Sequence, residues 1–332
     1  MVEEIILATA RHNDKIDPVL GIWGWEIAVY LFLGGITAGI MFFSALVILL
    51  KKEEQAPFSA FKLALWGPIA LSLGMGGLFL DLAHKLFVYR FYTTFQPSSP
   101  MSWGAWILII VYPVSILLIL ATLRVGYPFL AAYAERLDIG KWVLDTAERY
   151  RRAIAVANIP VAVGLGIYTG ILLSTFMARP FWNTGVLGPL FLISGLSTAA
   201  ALVVLVARKE AERHMFTRID VGLILIELVI IALLVINLAT GARMQLEAFR
   251  QIFGGAYTVV FWGWFVTLGL LIPLVLEYRE LKGKVIWVAL APVLVLVGGY
   301  VLRQVAVDVG QSGNWTHYAT QFNPALLERL NH

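Results

Sequence analysis

The chain has 332 residues, 60% of them hydrophobic and only 14% charged, where soluble domains carry about 25% charged residues. So few charges do not cover the surface of a soluble two-domain enzyme, and the chain is therefore a membrane protein. It contains no cysteine, which excludes thiolate-ligated iron–sulfur clusters, disulfides and thiol nucleophiles in this chain, and its net charge of +4 reflects loop bias rather than a nucleic-acid patch.

A membrane-spanning helix needs about 20 mostly apolar residues. Eight stretches qualify: 25–50, 58–83, 102–124, 153–177, 187–207, 219–240, 256–277 and 285–307. The reading is an all-α polytopic membrane protein, with residues 1–24 as an N-terminal segment, 25–308 as the eight-helix domain and 309–332 as a tail. One set of connections carries 16 Lys and Arg and the other, with both termini, carries 9. Cytoplasmic loops hold the excess, so both termini are expected outside. Residues 1–24 lack a cationic start leading into a short apolar core and read as no signal peptide.

The connection 125–152, with Glu135, Arg136, Asp138, Lys141, Asp145, Glu148 and Arg149, is expected to be a surface helix on the inner side. The outer connections 84–101, 178–186 and 241–255 are instead poor in charge and rich in aromatics and proline, among them Phe87, Tyr89, Phe91, Phe95, Pro180, Phe181 and Trp182. Part of that is an interfacial belt; the rest reads as a platform for an external partner or a rim for an amphipathic ligand. Small residues at Gly34, Gly35, Ala38 and Gly39, and at Gly164, Gly166 and Gly170, are expected at helix crossings.

Ionisable residues inside spans are costly and therefore functional candidates. Glu26 opens the first span, Asp81 and His84 close the second, and Arg303 lies about one turn inside the outer end of the eighth. Asp81 and His84, three apart, are expected on one helix face. Arg303 requires an acid, and Asp81, Glu26 or Asp308 are the expected partners; a purely structural ion pair is the alternative. Glu227 lies roughly 13 Å from the inner end of the sixth span, with Asp220 seven residues earlier on the same face, and together they can begin a proton route. The alternatives are a protonated Glu227 hydrogen-bonded between helices and a solvated, interfacial His84. Asn158 and Tyr168 share the fourth span, and a tyrosine there either offers a hydroxyl to a carbonyl or packs in the core.

Five histidines, of which His84 alone lies near a span, do not supply the facing pair that a bis-histidine haem needs. No motif supports a nucleotide, a metal cage or a hydrolytic triad. A proton-active cluster under an aromatic outer face suits a lipid-soluble carrier of two electrons and two protons, such as a quinone. With no redox centre in the chain, electrons have to cross to a docked partner.

Leu80-Asp81-Leu82-Ala83-His84 followed by Ser99-Pro100-Met101-Ser102-Trp103-Gly104-Ala105-Trp106 resembles the pattern after the second span of NrfD/PsrC-type quinol-interacting subunits. Tyr168-Thr169-Gly170, Arg179-Pro180-Phe181-Trp182-Asn183-Thr184, Phe261-Trp262-Gly263, Gly298-Gly299-Tyr300-Val301-Leu302-Arg303 with Gly310-Gln311, and the run Tyr30 to Gly39 are similar too. The resemblance covers residues 23 to 311. It implies eight spans in two four-helix bundles, no haem, and a menaquinone or ubiquinone site near the outer face, in the cytoplasmic (inner) membrane of a prokaryote. It further implies an extracytoplasmic four-cluster ferredoxin-like iron–sulfur subunit, and beyond it a molybdopterin catalytic subunit for polysulfide, thiosulfate, tetrathionate or arsenate, or else a hydrogenase or multihaem cytochrome. The chain would then serve anaerobic respiration as the quinone-reactive subunit of an oxidoreductase. By similarity Tyr168 hydrogen-bonds the quinone, Asp81 and Arg303 line or support its pocket, and Glu26 stands where some relatives place polar ligands. The family's usual Asp-Leu-Gly-Arg-Pro is here Asp81-Leu82-Ala83-His84-Lys85, a departure in the loop that follows the helix.

The expected site is therefore Glu26, Asp81, His84, Tyr168 and Arg303, with protons leaving through the carboxylates and His84. The rival class is a secondary transporter or ion channel using Glu227 as a proton site, against which stands the lack of matched Gly/Pro-broken helices in the two halves. A passive anchor would not need the acids near the outer face.

Overall fold

A computed structural model describes residues 23–176, 179–283 and 289–312. The segments 1–22 and 313–332, and with them most of the expected terminal regions and His12, His317 and His332, lie outside the described residues, as does the start expected for the eighth span. Among the described residues there is no β-strand. Eight helices are long and apolar enough to cross a membrane: α1 (Trp25–Leu49), α2 (Leu63–Asp81), α3 (Pro100–Gly126), α4 (Arg151–Ser174), α5 (Leu187–Val206), α6 (Glu210–Thr240), α7 (Val259–Leu281) and α8 (Leu290–Gln311). The protein is a multi-pass integral membrane protein.

The boundaries move most at α6, which starts nine residues before the apolar run, and at α8, which continues to Gln311. In both cases intrahelical hydrogen bonding continues after the chain leaves the apolar phase; at α6, charged side chains such as Glu210 and Glu212 favour the first turn of a helix. The first half of α7, Val259–Leu271, is wound with i→i+5 hydrogen bonds, and Thr267 Oγ1 donates to the Trp262 carbonyl at 2.7 Å. Pro273 follows this stretch and has no N–H to give the carbonyl four residues before it.

The centre of the assembly is α1 and α5, whose apolar stretches are 78% and 67% buried against 28% for α6. α1 packs on α2, α4, α5 and α8; α5 packs on α1, α4, α6 and α8; α3 lies on α4 and α7 on α8. Direct contact between α2 and α3 is sparse. Without a hydrophobic drive between helices in lipid, close backbone approach supplies the attraction. α1 and α5 achieve it by facing two small-residue pairs: a Cβ on Gly39 would run into the Ala199 methyl and lie 2.7 Å from the Gly195 carbonyl, and one on Gly195 would lie 2.7 Å from the Gly35 carbonyl. Gly166 and Gly170 play this part between α4 and α5, whereas Gly34 and Gly164 have open space beside them. A Gly39→Leu variant is expected to lose about 3 kcal/mol of stability through overpacking at this crossing. Thermal melting in detergent reads this directly, and an unchanged midpoint would show that the crossing is loose.

The connection between α3 and α4 contains helices Pro128–Ala134 and Asp138–Arg149, in agreement with the expected surface helix. Arg124, at the end of α3, holds it by ion pairs to Glu135 (2.7 Å), Asp145 (2.7 Å) and Glu148 (2.8 Å). On the same side Glu212 caps helix Pro57–Phe61, accepting from the Phe58 and Ser59 amides at 3.1 and 2.7 Å.

At the opposite end two of the aromatic connections part company. The 179–184 loop is no open platform: Phe181 and Trp182 are buried, and Trp182 Nε1 donates to the Ala306 carbonyl at 2.6 Å. Arg179 Nη1 donates to the Gln311 carbonyl at 3.1 Å. Gln311 in turn bonds the backbone of Trp23 twice, each at 2.8 Å, so the start of α1 and the end of α8 are tied together. The 84–99 loop remains exposed, with Leu86, Phe87, Tyr89, Phe91 and Phe95 turned outward. Tyr92 there is partly buried, which pushes its phenol above the ordinary range, with Tyr112 of α3 adding to the effect.

Candidate functional site

Two polar clusters lie within the helical array, and the residues expected to form one site are divided between them.

The first occupies the Trp25 end. Glu26 and Tyr30 are four apart on α1 and share a face. Tyr30 and Tyr168 of α4 join hydroxyl to hydroxyl in the interior. The Tyr168 ring lies against Gly104 of α3, where any Cβ would collide with it. Three helices thus fix the position of that phenol. Asp81 closes α2 and faces Glu26 as a like charge, and Gly77, one turn before it, packs on the Glu26 carbonyl. His84 departs from expectation. The helix stops at Asp81 because Leu82 turns extended (φ −63, ψ 124), so His84 does not share a helix face with Asp81; it is exposed, with its ring 6.4 Å from that of Phe87.

The second cluster runs through α5 to α8. Arg303 is 1% exposed and lies about 12 Å along the helix from the end of α8, deeper than the one turn that the apolar run suggested. Its Nη1 donates to Ser194 Oγ (2.6 Å) and the Gly299 carbonyl (2.9 Å), and its Nη2 to the Phe191 carbonyl (3.1 Å). The acid whose charge acts on it is Glu227, with no direct ion pair between the two among the described residues. This corrects the expected pairing: Asp308 is taken up by Gln304 at 2.9 and 3.0 Å, and Asp81 and Glu26 face each other. Arg303 therefore belongs to this cluster and not to the tyrosine pair.

Below Glu227 on the same face, Asp220 is fully buried and accepts from Ser197 Oγ at 2.6 Å. Its second oxygen faces Glu277 of α7. Neither Glu277 oxygen has a donor among the described residues, and a proton held between the two carboxyls would give each of them a partner. Glu280, one turn further, faces Arg213 and His214. The order Glu280, Glu277, Asp220, Glu227, Ser194, Arg303 forms a line of buried polar groups from one end of the array to its middle.

Sequence reasoning does not pick out Tyr30 and Glu277 as site residues. Glu277 ends the apolar run Ile272-Pro273-Leu274-Val275-Leu276 and has the pattern of an interfacial acid. Asn158, by contrast, bonds the Val114 and Ile154 carbonyls at 3.3 and 2.9 Å, tying α3 to α4. Among the described residues no group of three or more His, Cys, Asp and Glu is placed to hold a metal ion.

Eight apolar helices, with a buried phenol pair beneath one end and a line of buried acids leading toward a buried arginine, define a polytopic membrane protein with polar groups held inside its helical array. The chain belongs to the NrfD polysulphide reductase family, whose model matches residues 11–312. It is 27% identical over 309 residues to a polysulfide reductase chain of Wolinella succinogenes, covering 88% of the present sequence and 95% of that protein. It is 30% identical over 272 residues to protein NrfD of Escherichia coli (strain K12), covering 77% and 84%. With a selenate reductase subunit of Mesobacillus selenatarsenatis it shares 24% over 355 residues, covering 92% and 80%.

Proposed function

We propose that this chain is the quinone-reactive membrane subunit of a respiratory oxidoreductase complex. It exchanges electrons and protons between a menaquinone or ubiquinone pool and an extracytoplasmic iron–sulfur subunit. The names of the relatives, as parts of polysulfide and selenate reductases, support the class of complex. A molybdopterin catalytic subunit beyond a four-cluster ferredoxin-like one is what the sequence resemblance implies, and the Lys and Arg bias of the connections supports both termini of this chain on the partners' side.

The observation that carries the reading is the buried Tyr30–Tyr168 hydroxyl pair with Glu26 and Asp81 beside it. The fit is chemical. Each phenol has one hydrogen and two acceptor lone pairs, and their mutual bond leaves one of the two hydrogens free for a carbonyl. The sparse α2–α3 seam, bridged by Ser72 and Tyr112 at 3.0 Å and flanked by exposed Phe79, Trp103 and Trp106, offers a lipid-side approach. A quinone supplies, when bound, a carrier of two electrons and two protons. In this chain Tyr168 orients a carbonyl by donating its hydroxyl, Gly104 keeps the ring in place, and the carboxylates of Glu26 and Asp81 take or return a proton at an oxygen. The Glu277, Asp220 and Glu227 carboxyls form the proton path from the other face.

A Tyr168→Phe variant tests this. Removing the donor is expected to lower quinol-linked turnover about 10- to 100-fold, as a lost buried hydrogen bond does, while the complex still assembles. Unchanged turnover removes Tyr168 from the site. A chain that isolates without any iron–sulfur partner and moves protons unaided would instead support the transporter reading of Glu227.

A further inference from the structure

A groove of about 820 Å³ opens on the outer wall of the array between α6 and α7, at the end opposite the tyrosine pair. Its walls are Val221, Leu225, Leu274 and Val275, and its floor at the helix end is Tyr278, Arg279 and Lys282. The apolar wall continues away from that floor as an exposed stripe on α6, through Val229, Leu233 and Ile236. Lys282 Nζ lies 4.4 Å over the Tyr278 ring, which holds the ammonium at the mouth of the groove. Among the described residues neither Arg279 nor Lys282 forms an ion pair with an acid. A neighbouring cavity of about 590 Å³ adds Lys52, His214 and Arg218 at the same level.

We propose that this groove is a binding site for one anionic phospholipid, with its phosphate against Arg279 and Lys282 and its acyl chains along α6 and α7. Charge complementarity selects the occupant. Two cations without an acid partner among the described residues, at the floor of an apolar slot, call for an acid headgroup on an apolar tail, whereas a neutral quinone ring leaves both charges unmatched. Cations close to the headgroup layer attract acidic lipid, and basic pockets between helices at that depth hold such headgroups. The occupant would brace α7 just where Glu277 meets Asp220, a link to the proton path that the site itself does not depend on.

The full chain, with whatever partners it retains, is to be purified in mild detergent, stripped of lipid and titrated with dioleoylphosphatidylglycerol or dioleoylphosphatidylcholine under native mass spectrometry. One tightly held phosphatidylglycerol, at least about tenfold preferred over the zwitterionic lipid, is expected. The double variant Arg279→Gln, Lys282→Gln should lower that affinity about thirtyfold, and the swap Arg279→Lys, Lys282→Arg should retain it. Equal binding of the two lipids, or unchanged affinity in the charge-removed variant, overturns the site, as does displacement of the lipid by an isoprenoid quinone. Should the double variant not fold, Val275→Trp fills the slot without touching the charges, and undiminished retention of phosphatidylglycerol in that variant also overturns it.

Discussion

Replacing Arg303 with leucine is expected to destabilise the protein by about 3–5 kcal/mol, the cost of losing a buried guanidinium's charge-assisted hydrogen bonds. The guanidinium is 1% exposed and holds three groups, Ser194, Gly299 and Phe191, on two helices. Its loss removes these contacts between α8 and α5 and leaves Glu227, also 1% exposed, with no cation acting on it. The remedy separates this account from simple packing. A Glu227→Leu change added to Arg303→Leu removes the acid left without a compensating charge, and the double variant is expected to regain part of the loss. Melting temperatures of the parent, the two single variants and the double variant in one detergent give the cycle. A strictly additive double variant would show that Arg303 and Glu227 do not act together.

Glu277→Gln is expected to leave quinol oxidation measurable while lowering the coupled movement of charge at least about tenfold. The Asp220 and Glu277 carboxyls face one another, with the Ser197 hydroxyl donating to Asp220, so a proton passing along α6 and α7 has to be held by this pair. An amide at 277 can donate to Asp220 and keep the packing, but it cannot take up and release a proton. Vesicles containing the complex and a potential-sensitive dye, driven by quinol, provide the measurement; Glu227→Gln is the companion variant. A full membrane potential in both would make the acid line a structural network and would leave the proposal of a quinone site at Tyr168 untouched.

What the sequence made legible follows from what lipid enforces. Eight spans are readable because each must satisfy its backbone internally over a fixed thickness, and the surface helix at Asp138–Arg149 because its charges sit at helical spacing. Glu227 and Asp220 stand out as acids in apolar runs, and both are buried as expected. Their partners are not readable. Arg303 has several acids within reach of its helix, and only the crossing of α5, α6 and α8 decides for Glu227. His84 looks coaxial with Asp81 because a three-residue spacing presumes that the helix continues, and the extended Leu82 ends it. Trp182 is visible as an interfacial aromatic, yet Gly310 and the Ala306 carbonyl draw it inside. In each instance the short-range pattern is sound and the long-range contact, set by which helices adjoin, is carried by no single segment.

The ties between Trp23 and Gln311 join residues 288 positions apart. During synthesis the first helix enters the bilayer long before the eighth exists, so its leading backbone groups wait for a partner that arrives last. Final closure of the array is consequently a late, whole-chain event. A polypeptide interrupted anywhere before the end of the eighth helix lacks Gln311 and so leaves the N–H and carbonyl of Trp23 without these two bonds.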